Sequence, residues 1–162
     1  MPAAYPLLRR TAWLLAIAGA LPFAIATAAL LSPESRIRVP AVAAMVTYAA
    51  VILSFLGGIE WGVALHEPAA ASAAVKERHR ITALVVSVVP SLAAWAVLTA
   101  PPPAFLPSLH WQLGADLALF VVVWAADMAF ARQGLLPTWF VNLRTAITSA
   151  VVVLLGLALY LL

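Results

Sequence analysis

Five long apolar runs, separated by short loops that hold most of the charge, constrain this chain more than any other feature. They cover Thr11–Leu31, Ala41–Leu65, Ile81–Thr99, Trp111–Phe130 and Val141–Leu162. Each is close to the roughly 20 residues that a helix needs to cross a hydrocarbon core about 30 Å thick. Inside lipid every backbone N–H and C=O must find an internal partner, so only helices and closed barrels cross. No run alternates with the period of two that a barrel strand requires. The sequence therefore predicts an all-α membrane protein, a bundle of five transmembrane helices that makes residues 1–162 a single domain. Composition agrees, with 65% hydrophobic residues, 9 basic and 6 acidic side chains, and a mean hydropathy of +1.07. A soluble domain carries about a quarter charged residues, so a soluble globular enzyme is excluded, and disordered and fibrous chains with it. The absence of cysteine excludes disulfides, thiolate metal sites and cysteine nucleophiles. The pI near 10.0 comes from charges scattered over separate loops rather than from a basic stripe, so nucleic acid is not an expected partner.

The positive charges predict orientation, because Lys and Arg collect on the inner side of short loops. With five crossings, one side holds Arg9, Arg10, Lys76, Arg78, Arg80, Arg132 and Arg144, and the other Arg36 and Arg38. The N-terminus is expected inside and the C-terminus outside, in a bacterial inner membrane (or with the N-terminus in the matrix, in a mitochondrion). Arg9-Arg10 before an apolar run resembles an export signal, but the run exceeds the roughly 7–15 residues of a signal core, so the first span is expected to be retained. Pro22 and Pro90-Ser91 mark expected bends, and Pro68 and Pro137 expected helix starts.

Ionisable groups at membrane depth are costly and face partners or cavities. Four fall within the runs: Glu60, Asp116, Asp127 and Arg144. At a rise of about 1.5 Å per residue, Glu60, Asp127 and Arg144 come from three helices to a common depth in the inner third. Asp116 lies towards the outer third. Asp116 and Asp127 are eleven residues apart, which places them within about 20° on one face of the fourth span. The short connection Ala131–Thr138 makes spans four and five antiparallel neighbours, so Asp127 and Arg144 are expected to meet. The pair serves either to fix helix register or, with Glu60 and Asn142, as an inward-opening polar pocket for a proton, an ion or a small polar headgroup. Asp116 is expected to be protonated or to accept from Trp95 or Tyr48. In the second span Ser54, Gly58 and Gly62 repeat at four-residue spacing, a small-residue stripe that lets another backbone approach closely.

No catalytic constellation is assembled. His66, His79 and His110 lie at span ends, and His66-Glu67 lacks the second histidine of a metalloprotease helix. No catalytic residue, metal site or cofactor is expected. The six tryptophans are read mainly as interfacial anchors.

Tyr48 to Gly62, reading YAAVILSFLGGIEWG, resembles the signature of a small multi-pass membrane family, domain of unknown function 3429, which includes transmembrane protein 69. Pro90-Ser91-Leu92-Ala93-Ala94-Trp95 and Pro137-Thr138-Trp139-Phe140 with Leu143-Arg144 are similar to its later segments. The resemblance covers roughly Tyr48 to Thr148 and implies membrane residence without any transferable functional residue. Two roles follow from the residues themselves. One is a helical accessory or assembly subunit of a larger membrane complex, with a membrane-protein partner or a second copy of itself. The other is a small-molecule, lipid or proton-coupled binding or transport protein.

Overall fold

The computed structural model describes residues 5–65, 73–101, 103 and 108–162. It contains five helices, α1 (Pro6–Ala29), α2 (Ser35–Leu65), α3 (Ala73–Thr99), α4 (Ser108–Arg132) and α5 (Thr138–Leu161), each carrying a segment long and apolar enough to cross a membrane. The predicted runs are thus helical apart from Leu30, Leu31 and Leu162, and every helix starts earlier than its run. Pro68, an expected helix start, lies outside the described residues.

Helix ends follow local chemistry. Pro6 opens α1 in the first turn, where its missing N–H costs nothing. Gly134, at φ 74, ends α4: its N–H reaches the Ala131 carbonyl at 2.9 Å and the Leu135 N–H reaches Phe130 at 3.1 Å. A left-handed residue closing two such bonds satisfies carbonyls that the helix end leaves orphaned. Leu135 then packs on Phe130 with Ala64 and Ala83, a small satellite core. Two arginines cap other helix ends. Arg80 Nε donates to the Ala64 carbonyl near the end of α2 at 2.7 Å, and Arg38 Nη2 donates to the Leu161 carbonyl at the end of α5. Replacing Arg38 with methionine is expected to lower stability by about 1.5–3 kcal/mol, the net worth of a hydrogen bond to a charged group. Arg36→Met, which removes only an exposed pair with Glu34, should cost no more than about 1 kcal/mol. Thermal melts of both variants in one detergent check the contrast.

α1 lies against α2 and α5, α4 packs on α2 and α5, and α3 packs on α2 and α4. α2 and α4 each touch three other helices, and Val42, Met45, Val46, Ala49 and Leu53 of α2 enter the main core with Phe23, Phe120, Leu113 and Leu155. Leu14, Ile25, Val85, Leu92, Trp95, Val122 and Val153 are exposed on the outside. Such a surface is solvated by hydrocarbon, which leaves packing and polar bonds to hold the helices together. Those bonds cross several helix pairs. Tyr48 Oη donates to the Gly19 carbonyl (2.9 Å), Trp124 Nε1 to Thr145 Oγ1 (3.1 Å) and Gln112 Nε2 to the Val97 carbonyl (3.4 Å).

α2 and α3 approach each other closely at Gly57. A Cβ built on Gly57 would lie 2.1 Å from the Ser87 carbonyl oxygen and 3.7 Å from Pro90 Cδ. The Ser54–Gly58–Gly62 stripe is not the row that α3 approaches. All three residues are exposed, and a Cβ on either glycine would meet nothing within 4 Å. Among the described residues the two glycines of the stripe meet no neighbouring helix; a repeat of four marks a row along a helix without saying which way the row faces.

Candidate functional site

α4 turns Leu113, Asp116, Phe120, Val123, Asp127 and Phe130 to the interior. These positions alternate by three and four residues, so both aspartates fall on one face, as their spacing predicts. α5 buries Leu143, Arg144, Thr148, Val151, Leu155 and Ala158, and α2 buries Glu60 near its C-terminal end. Glu60 and Asp127 each stand five residues before the ends of their helices, and Arg144 six residues after the start of its own. At about 1.5 Å per residue all three lie some 7–9 Å inside the same end of the bundle.

Arg144 Nε donates to Asp127 Oδ2 at 2.6 Å, and Nη2 lies 2.5 Å from the same oxygen. The side chains are 6% and 1% exposed, so water screens the pair little. The Glu60 carboxyl lies within electrostatic reach of both members of the pair. Glu60 is 2% exposed, and neither of its oxygens meets a hydrogen-bond donor among the described residues. Three helices thus bring two carboxyls and one guanidinium into one buried cluster.

A cleft of about 640 Å³ adjoins this cluster, bounded by α1, α2 and α5. Phe23 is among its lining residues. Its ring packs on Tyr48 at 5.2 Å, tilted by 59°, and on Phe120 at 5.8 Å, edge-on, which holds α1 there. The walls are apolar, from Leu15, Ala16, Phe55, Ile59 and Ile147 among others, and Arg144 and Thr148 supply polar groups. Arg144 therefore belongs both to the charge cluster and to the cleft wall, whereas Glu60 is no part of that wall.

Two expectations about the site are corrected. Asn142 is exposed and takes no part in it: two residues along a helix amount to about 200° of rotation, so Asn142 points away when Arg144 points in. Asp116 accepts from neither Tyr48 nor Trp95. The Tyr48 hydroxyl is bonded to Gly19, Trp95 is 65% exposed, and both buried Asp116 oxygens lack a donor among the described residues. Of the histidines, His110 borders a second, shallower apolar cavity with Trp111 and Gly114. His66 and the His79 side chain lie outside the described residues. The cleft and Gly57 were missed in the sequence. The Gly57-Gly58 pair hinted at a close approach without saying which glycine makes it.

Five membrane-length helices around a buried charge cluster define a multi-pass integral membrane protein. A family model described as a protein of unknown function (DUF3429) matches residues 8–160, and the chain belongs to that family. It is 35% identical over 135 residues to Transmembrane protein 69 of Xenopus tropicalis, an alignment covering 83% of this chain and 47% of the relative. The chain thus spans about half the length of that curated relative. No solved structure matches it.

Proposed function

We propose that this protein is a membrane-embedded binding protein. It takes an amphiphile, with an apolar body and a hydrogen-bond-accepting head, into the cleft between α1, α2 and α5. The observation that carries this reading is one buried guanidinium set in the wall of an otherwise apolar cleft of about 640 Å³. Small-molecule sites are of this kind, about 300–1,000 Å³, mostly apolar, with a few placed polar groups. Arginine presents five N–H donors, and Asp127 engages two of its nitrogens on one side. Donors remain for an acceptor entering from the cleft. Because Asp127 already balances the charge, the head need not be an anion. The role is binding, and no catalytic step is assigned to it.

Native mass spectrometry of the protein released from lipid nanodiscs tests this. A small molecule should remain bound to the wild type. Ala16→Trp, which fills the cleft, should reduce its occupancy tenfold or more, at least about 1.4 kcal/mol. Ala18→Trp, on the exposed side of α1, should leave it unchanged. Equal retention by all three proteins would sink the proposal.

The charge asymmetry of the loops supports a membrane orientation with the N-terminus inside and the C-terminus outside, in a bacterial inner membrane. Reporter fusions to the C-terminus that fluoresce only in the cytoplasm should stay dark. A second reading, an accessory subunit, has one specific support, the outward-facing small-residue row Ser54–Gly58–Gly62 on α2. Gly58→Leu should then release a partner chain from the native complex while leaving the cleft ligand in place.

A further inference from the structure

Glu60 is needed neither by the cleft wall nor by the ion pair, yet it is buried to 2% exposure with both oxygens lacking a donor. The charged groups acting on it are Asp127 from α4 and Arg144 from α5. On α3 the nearby Arg80 donates to the Ala64 carbonyl, one turn beyond Glu60 on α2. Arg144 brings both Nε and Nη2 to a single oxygen of Asp127, so its attraction is directed at that carboxylate. Two carboxyls thus share one guanidinium. With both ionised, the cluster holds one unbalanced negative charge in an interior that solvates charge poorly, and acceptors outnumber donors. A single added proton corrects both deficits.

We propose that Glu60 and Asp127 together form a binding site for one exchangeable proton, held in place by Arg144. A water-borne proton adds to a carboxylate oxygen of Glu60, whose charge goes to zero, and the new O–H donates to Asp127. Release returns the proton to water and leaves the carboxylate. A hard metal cation fits less well, since such ions take about six or more oxygens. Among the described residues no three His, Cys, Asp or Glu side chains converge. Asp116 is the internal control. It is buried on the same face of α4 and also lacks a donor, but it stands about 16 Å along the helix from the cluster. Arg144 touches both the proton site and the cleft, so an occupant accepting from its guanidinium would act on the proton site through one side chain.

The test is an infrared titration of the full chain in nanodiscs of uncharged lipid, following carboxyl and carboxylate bands. The wild type should show an interior protonation step that Asp116→Asn retains and Glu60→Gln loses, a change of one proton per chain. Helix content should be unchanged. Should Glu60→Gln fail to fold, Glu60→Asp replaces it and should keep the step with a displaced carboxyl band. The proposal is overturned if Glu60→Gln takes up as many protons as the wild type, or if Glu60→Asp leaves the band where it was. It is also overturned if sodium at constant pH abolishes the step while a bulky organic cation does not, which would make the guest a metal ion.

Discussion

Arg144→Leu is expected to destabilise the bundle by about 3 kcal/mol, more than removal of either of its acidic neighbours. Taking one partner from a buried ion pair costs about 3–5 kcal/mol, because the other charge is left without compensation. Membrane insertion scales price a single charge at the helix centre at about 2.5–3.5 kcal/mol. The arrangement here makes the effect directional. Loss of Arg144 leaves Asp127 and Glu60 facing each other with no cation. Loss of Asp127, in Asp127→Leu, leaves Arg144 beside Glu60, a ready replacement acceptor already in the same cluster. Asp127→Leu is therefore expected to be milder than Arg144→Leu by about 1.5 kcal/mol or more, the net worth of a hydrogen bond to a charged group. The Asp127→Leu/Arg144→Leu double variant should recover part of the single-variant loss. Denaturant unfolding in mixed micelles, read by tryptophan fluorescence, gives all three values. An Asp127→Leu variant as unstable as Arg144→Leu would mean that Glu60 does not belong to the cluster.

How far these features can be read from the sequence depends on whether they are set along a helix or between helices. The five spans, the common depth of Glu60, Asp127 and Arg144, and the shared face of Asp116 and Asp127 all follow from counting residues at a fixed rise and rotation. Facing is harder. α2 is apolar nearly all round, so no polar stripe tells which side meets the bundle, and the Ser54–Gly58–Gly62 row gave the packing side wrongly. α5 carries polar residues over a wide arc, and Asn142 fell on the lipid-facing part of it. The cleft has no signature in any single helix. It exists because Phe23 anchors α1 against Tyr48 and Phe120, while Ala12, Leu15, Ala16 and Gly19 of α1 border open space. That relation belongs to three helices together.

The glycine pair in α2 offers a sharp test of this distinction, because its two members are adjacent, chemically identical and expected to respond in opposite ways. A methyl group on Gly57 would stand 2.1 Å from the Ser87 carbonyl oxygen. No real Cβ approaches a backbone atom so closely, and α3 has no flexible side chain there that could swing aside. The neighbouring contact is the ring of Pro90, whose presence already removes one backbone hydrogen bond from α3. Gly57→Ala therefore forces the two helices apart, an over-packing cost of about 1–3 kcal/mol. Gly57→Val adds branch atoms to the same clash and should exceed that range. Gly58, one residue on, looks into open space, and alanine there should be neutral or stabilising by up to about 1 kcal/mol through the lower backbone entropy of the unfolded chain. Thermal melts of Gly57→Ala and Gly58→Ala in the same detergent decide the matter. A loss at Gly58 with Gly57 unaffected would place the α2–α3 contact on the opposite side of α2. A loss at both would mean that the outward row is itself covered, by a second copy or a partner chain, and would move the weight of evidence towards the accessory-subunit reading.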